Sequence, residues 1–284
     1  MGIDLHTFRF VSGLARLAPL GRVLTIGRQS VDFDPALAGM PPADLTEAGD
    51  CEWVFTALGA LEVSSVDVSD YENATYVADL GEPTTLPTQF DTVVDAGSLE
   101  HVFDVVTAFR NIIGFTAPGG RIVHILPVNN LSGHGFWQFS SDLIYALYSP
   151  ENGFDGTQVY YASSLNPDEW RLVPVPVPGT RTELVSVEPV ILLSVTSKTR
   201  DVAKLSVMQP FYAKAWDGTE AVQNEPTAPS FARKAVKALS GSGAYRLLRN
   251  AYTIAGLLFG TSRYALSGSR FAKRSAKLKR SAAE

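Results

Sequence analysis

The stretch from Phe90 to Phe139, FDTVVDAGSLEHVFDVVTAFRNIIGFTAPGGRIVHILPVNNLSGHGFWQF, decides the fold. Its first apolar run, Phe90 to Ala96, predicts a buried strand that closes on Asp95 and Gly97. A helix is expected next, with Ser98 as its N-cap and Glu100 near the positive end of its dipole. Pro118-Gly119-Gly120 then turns the chain into a second apolar strand, Arg121 to Leu126. Two buried strands joined by a helix predict a parallel sheet. Ligands of such sheets bind beyond the carboxyl ends of the strands. Both ends here are crowded with Gly and polar residues: Asp95, Gly97 and His101 after the first strand, and Asn129, Asn130, His134 and Trp137 after the second.

Working outward, residues 4–18 carry Phe8, Val11, Leu14 and Ala15 at helical spacing. Arg22 to Ile26 is a short β-rich run stopped by Gly27. Pro41 to Leu61 reads as a helix with Val54, Leu58 and Leu61 on one face. Glu62 to Val68 and Thr75 to Ala78 read as further strands, with Asp67 near the end of one and Asp79 just after the other. Alternating strands and helices predict an α/β, Rossmann-like, doubly wound and mostly parallel sheet. Ser141 to Tyr148 reads as a helix. Thr157–Ser163, Glu169–Val177 and Glu183–Ser197 lack long helices between them, so antiparallel strands are expected to finish the sheet. This organisation gives an α/β domain over residues 1–216, a linker over 217–230 rich in Gly, Asn, Thr and Pro, and a basic amphipathic C-terminal extension over 231–284. The terminal RFAKRSAKLKRSAAE is expected to be mobile.

Composition narrows the class. The chain has 284 residues, 45% hydrophobic and 19% charged, which suits a globular protein with a full core. Cys51 is the only cysteine, so no internal disulfide can form, in keeping with a reducing cytoplasm. Neither a leader-like apolar run at the N-terminus nor an apolar stretch of membrane-spanning length is present in the sequence. The net charge of −5 is unevenly spread: residues 229–284 hold twelve Lys and Arg against one Glu, while the rest holds twelve basic and 28 acidic groups. A basic, aromatic-interleaved extension suits an anionic membrane surface. Nucleic-acid binding is disfavoured, because the body is acidic and carries no nucleic-acid motif.

The order of these signals resembles the class I S-adenosylmethionine-dependent methyltransferases, over about Gly21 to Leu126. FDTVVDAGSLEHV is similar to the fourth-strand motif of that superfamily, and APGGRIV to the turn into its fifth strand. The resemblance implies S-adenosylmethionine as cofactor. It places Asp67 against the ribose hydroxyls and Asp79 beside the adenine amino group, with Asp95 and Gly97 on the cofactor side. The first loop departs from the pattern: where the superfamily has several glycines, this chain has Gly27-Arg28-Gln29, and Thr25 stands in place of an acidic residue. Multiple glycines let backbone lie against a ligand without a Cβ clash. The loop then takes another path, or Arg28 and Gln29 contact the cofactor directly, Arg28 as a charge-assisted donor to the methionine carboxylate, or the loop no longer binds cofactor. The Gly-Arg-Gln loop and the NNLSGHGFWQFS segment together resemble a subgroup associated with bacterial glycan or secondary-metabolite biosynthesis.

Acceptor chemistry is read from the second polar cluster. Asn129 and Asn130 offer both donors and acceptors to a sugar-like or amide substrate. His134, between two glycines, can approach a substrate hydroxyl, and histidine's ordinary pKa of about 6.5 suits a general base at neutral pH. His101 is the second choice of base. Phe136 and Trp137 can exclude water or stack on a ring. The sequence has four histidines but no CxxC or HxxxH pair, so no metal centre is expected, and His124, mid-strand, reads as a core residue. The expected function is O-methylation of a polar small molecule or glycan by a cytoplasmic enzyme. The alternative is a non-catalytic protein of the same fold serving as a scaffold in a membrane-associated assembly.

Overall fold

A computed structural model describes residues 2–39 and 50–216, with 247, 251, 254, 266 and 271–275. Helix α1 (Leu5–Leu17) is capped by Asp4, whose Oδ1 accepts from the Thr7 amide at 2.8 Å. Its spacing buries Phe8, Phe10, Val11 and Leu14. The sheet strands are β1 (Arg22–Ile26), β2 (Glu62–Asp67), β3 (Tyr76–Val77), β4 (Phe90–Ala96), β5 (Thr116–Asn129), β6 (Phe154–Ser163), β7 (Glu169–Val173), β8 (Val190–Lys198) and β9 (Ala272–Ser275). Their spatial order is β9-β7-β6-β8-β5-β4-β1-β2-β3. Strands β3 to β5 on this ladder are mutually parallel through β2, β1 and β4. Strand β8 runs antiparallel between β5 and β6, and β7 and β9 continue antiparallel outward.

The chain builds outward from β1 to β3, then returns to lay β4 on the other side of β1. That reversal is the switch point where two loops part and leave a crevice. Apolar clusters cover both faces of the sheet. One joins Leu24, Val66, Phe90 and Val93 to Ile112 and Phe115 of α3 (Val105–Phe115); the other joins Val23 and Val94 to Phe10 and to Phe55 of α2 (Glu52–Ala57). Burial on both sides explains why the central strands read as apolar runs rather than as alternating patterns.

Several sequence expectations are corrected. The helix expected over 41–61 is described only as α2; residues 40–49 lie outside the described part, and Leu61, expected on the buried face, is 83% exposed. The helix after β4 does not start at Ser98. A 3-10 turn (Leu99–His101) comes first, and α3 begins after Asp104, which accepts from the Thr107 amide at 3.1 Å and the Thr107 hydroxyl at 2.8 Å. Ser98 makes no cap; its hydroxyl donates to the Ile26 carbonyl at 2.7 Å instead. Pro118-Gly119-Gly120 lies within β5 as a shift of register against β4, not as a separate turn. Strands β7 and β8 are shorter than the apolar runs that announced them. Helix α4 spans Ser141–Leu147, as expected.

The linker at 217–230 and most of the extension at 231–284 lie outside the described residues. Of the terminal run expected to be mobile, residues 271–275 are docked instead, and 276–284 lie outside the described residues. Phe271 is 2% exposed with its ring 5.6 Å from that of Tyr161, and β9 pairs with β7 from Ala272↔Leu172 to Ser275↔Glu169. An unpaired β7 edge would leave a row of open backbone groups, which β9 covers.

Candidate functional site

The crevice at the switch point is a cavity of about 620 Å³, walled by the loops after β1, β2, β3 and β4. Gly27 forms its floor. The Gly27 amide donates to the Val66 carbonyl at 2.7 Å, and its φ of +77° is a left-handed conformation. A Cβ at this position would stand 2.8 Å from Ser98 Oγ and 3.0 Å from Gln29 Nε2. Gln29 folds beneath the loop, where Nε2 donates to the Ile26 carbonyl and to Ser98 Oγ, each at 2.9 Å. Its Oε1 is buried with no hydrogen-bond partner among the described residues.

Arg28 does not leave its guanidinium open to a ligand. Nη1 donates to the carbonyls of Glu72 and Asn73, Nη2 pairs with Asp50, and Nε lies 3.3 Å from Glu52 Oε1. Arg28 lines the cavity as expected of a cofactor residue, but acidic groups at the start of α2 hold its guanidinium as a strap across the loop, so a methionine carboxylate would compete with them for it. Asp67 ends β2 on the cavity wall, with Oδ2 accepting from the Arg28 amide at 3.0 Å and Oδ1 from the Val68 amide at 2.7 Å. Asp79 lines the same cavity, its Oδ1 accepting from the Gly81 amide at 2.8 Å. Asn111 of α3 steadies the loop bearing Asp79, by donating to the Leu80 and Glu82 carbonyls and accepting from the Thr84 amide.

Asp95 lies beneath the cavity rather than on its surface and is fully buried. Oδ1 accepts from the Ser98 and Leu99 amides at 3.0 and 3.3 Å, which shapes the turn holding Gly97. Oδ2 accepts from His124 Nδ1 at 2.8 Å, and His124 Nε2 meets the Tyr148 hydroxyl at 2.6 Å. A carboxylate on Nδ1 fixes the imidazole tautomer with Nε2 as acceptor. Tyr148 O–H then donates, and burial together with the Asp95 charge pushes the phenol well above its ordinary range. Asp95 thus belongs to a buried Asp95–His124–Tyr148 chain that braces the turn, and no cofactor contact falls to it.

Beside that turn is a second, smaller cavity of about 230 Å³, whose lining includes Asp4, Asp32, Gly97, Glu100, Pro127 and His134. Gly97, with φ +85°, belongs to the wall of both cavities. Glu100 is 0% exposed, and neither of its carboxylate oxygens accepts a hydrogen bond among the described residues. Burial, reinforced by the nearby Asp95 charge, raises its pKa to about 8. His134 Nε2 lies 3.4 Å from Glu100 Oε1, and the His101 and His134 rings are 5.7 Å apart. His101 lines the larger cavity, and its pKa is lowered by burial and then by His134. The backbone fixes this meeting: the Glu100 carbonyl accepts from the Phe136 amide at 2.7 Å, and a Cβ on Gly135 would fall 2.7 Å from that carbonyl oxygen.

The remaining expected acceptor residues are placed elsewhere. Asn129 Nδ2 donates to Ser186 Oγ at 2.9 Å, and Asn130 Nδ2 to the carbonyls of Ser186 and Glu188 at 2.9 and 3.1 Å, so both tie down the loop before β8. Trp137 Nε1 donates to the Val102 carbonyl at 2.9 Å and packs the loop from outside. Phe136 and Phe103, rings 6.1 Å apart, form an exposed aromatic rim over the larger cavity.

The strand order decides the fold. Three parallel strands stand on one side of the switch point and two on the other, followed by the reversed β8 inserted before the parallel β6, and β7 and β9 complete the nine strands. The chain has a Rossmann-like, doubly wound α/β fold with an antiparallel extension. Solved structures similar to it include the N-methyltransferase NodS from Bradyrhizobium japonicum, 15% identical over 68% of this chain and 94% of that one, with a TM-score of 0.38. Another is a TehB-like S-adenosylmethionine-dependent methyltransferase from Corynebacterium glutamicum, 20% identical over 67% and 87% of the two chains, with a TM-score of 0.40. The phosphoethanolamine N-methyltransferase 2 of Haemonchus contortus is 19% identical over 55% of this chain, which spans 38% of that enzyme, with a TM-score of 0.38. No protein-family model and no curated protein sequence matches the chain.

Proposed function

We propose that this protein is an S-adenosylmethionine-dependent methyltransferase acting on a hydroxyl of a polar small molecule or glycan. The observation that carries the reading is the pair of cavities sharing one wall. The larger, at the switch point, has the size of a nucleotide-like ligand site and presents Asp67 and Asp79 where a nucleoside would lie. The smaller presents His134 and Glu100.

The residues fit the cofactor. Each carboxylate oxygen of Asp67 uses one lone pair on a backbone amide, and a carboxylate can accept about four hydrogen bonds, so it can also accept from ribose hydroxyls. Gln29 Oε1 is an orphaned acceptor in the floor, suited to an ammonium group. The missing Cβ of Gly27 keeps the floor low. When bound, the sulfonium supplies an electrophilic methyl carbon and a neutral thioether leaving group. The chain's own residues then position and deprotonate. Gly97, without a side chain, keeps the wall shared by the two cavities thin. His134 takes the acceptor's hydroxyl proton as it leaves, with Glu100 behind it and His101 across that wall as second choice. The aromatic rim of Phe103 and Phe136 narrows water access.

The test uses the full chain, methyl-labelled S-adenosylmethionine and a panel of sugars, vicinal diols and amines. Label should pass to hydroxyl oxygen, and His134→Ala should lower turnover by roughly 10²- to 10⁴-fold while S-adenosylhomocysteine affinity stays unchanged. Transfer to amines alone would move the acceptor class to nitrogen, and equal turnover in the variant would remove His134 from the chemistry.

A further inference from the structure

The Glu100, His101 and His134 side chains can each offer one ligand atom, and these atoms lie within 4.8 Å of one another. We propose that this cluster is a binding site for one divalent transition-metal ion of the zinc class, set in the wall between the two cavities. The geometry supports it first. Two ligands about 2.1 Å from a tetrahedral ion stand about 3.4 Å apart. His134 Nε2 and Glu100 Oε1 are 3.4 Å apart, and only the exposed His101 ring has to swing inward.

Desolvation supplies the second, independent observation. Ionised, a carboxyl group with no exposed surface and no hydrogen bond to either oxygen is costly unless a cation compensates it. A single imidazolium at 3.4 Å would compensate one oxygen. It would leave the second imidazole, His101, without a role, although its ligand atom lies within 4.8 Å of the other two. Asp95, Thr107 and Asn111 nearby have hydrogen-bond partners, and among the described residues Glu100 alone leaves both oxygens of a buried carboxyl group without one.

Donor chemistry then selects the ion. Two imidazoles and one carboxylate favour zinc, iron or cobalt over magnesium or calcium, which prefer all-oxygen shells. Three protein ligands leave at least one position open, and the smaller cavity lies on that side. Ion binding stands on the cluster alone. Its consequence for the acceptor rests on the methyl-transfer reading: a hydroxyl entering the smaller cavity would take the open position, with a neighbouring hydroxyl or carbonyl as second donor. That points to vicinal diols and α-hydroxy carbonyl compounds as acceptors. A bound ion lowers the hydroxyl's pKa; with the ion present His134 Nε2 would be its ligand in place of the proton acceptor, and the released proton would pass to solvent.

The experiment uses the full-length protein stripped with chelator and dialysed into metal-free buffer. Zinc is titrated calorimetrically, and cobalt is followed by its visible ligand-field bands. One ion per chain is expected, with His134→Ala, His101→Ala and Glu100→Gln each weakening binding by at least tenfold. The two histidines are exposed, so their variants keep the fold even if Glu100→Gln does not. S-Adenosylhomocysteine affinity is measured on every sample, which separates failure of this inference from failure of the methyltransferase reading. Folded protein that binds no ion, or binds it equally well in both histidine variants, overturns the proposal.

Discussion

Gly27 concentrates the residue-scale argument. Its left-handed φ, the 2.8 Å approach of Ser98 Oγ to a would-be Cβ, and the Gln29 side chain beneath it replace the run of glycines that the first loop lacks. Gly27→Ala should therefore lower stability by about 1–2 kcal/mol from the left-handed conformation alone. Urea unfolding measures this, and an unchanged midpoint would show that the loop relaxes freely. The site was partly legible at this scale. Asp67, Asp79, Gly97 and His101 were singled out in sequence and all line the larger cavity. Glu100 was missed as a site residue, because a glutamate after a strand and before a helix explains itself as a dipole partner. Only the fold shows that Gly135 lets the 134–137 loop close over it. The hold on Arg28 was not legible for the converse reason: its partners Asp50 and Glu52 are remote in sequence and carry no motif.

Elements were legible wherever burial was symmetrical. Strands β1, β2 and β4 announce themselves because both faces pack against helices, so most inner positions are apolar or small. Helix starts were less legible, since Ser98 and Asp104 both look like caps and the choice depends on Ser98 being drawn to Ile26. Two groups that fasten helices to the sheet make a pH prediction. Burial raises the Cys51 thiol, just ahead of α2, from 9.0 to about 12. Burial likewise raises the Tyr145 phenol of α4 from 10.0 to about 12, where its hydroxyl donates to the Val173 carbonyl at 2.7 Å. Both groups are neutral when folded, and in the unfolded chain they ionise near their ordinary values. Their contribution is complete below pH 9 and is lost as pH rises from 9 towards 12. Urea midpoints should decline up to about pH 8, where the buried Glu100 titrates, and fall again above pH 9, with Cys51→Ala removing part of the second fall only. A midpoint that rises with alkalinity would contradict the assignment.

Over the whole molecule, the sheet is extended by a strand from the far end of the chain. Charge and composition hid β9, because its sequence, Ala-Lys-Arg-Ser, reads as a solvated basic tail. The pairing with β7 and the burial of Phe271 are long-range facts. Phe271→Ala should cost about 3–5 kcal/mol, seen as a lower urea midpoint; no change would mean that the strand is not docked in solution. Among the described residues no helix is long and apolar enough to cross a membrane. The central claim, that the switch-point cavity seats S-adenosylmethionine against Asp67, is tested most directly by calorimetric titration of the full-length protein with S-adenosylhomocysteine. The account predicts one site per chain and at least a tenfold loss of affinity, or about 1.4 kcal/mol, in Asp67→Ala. Folded protein that binds nothing, or binds equally well without the Asp67 carboxylate, would contradict it.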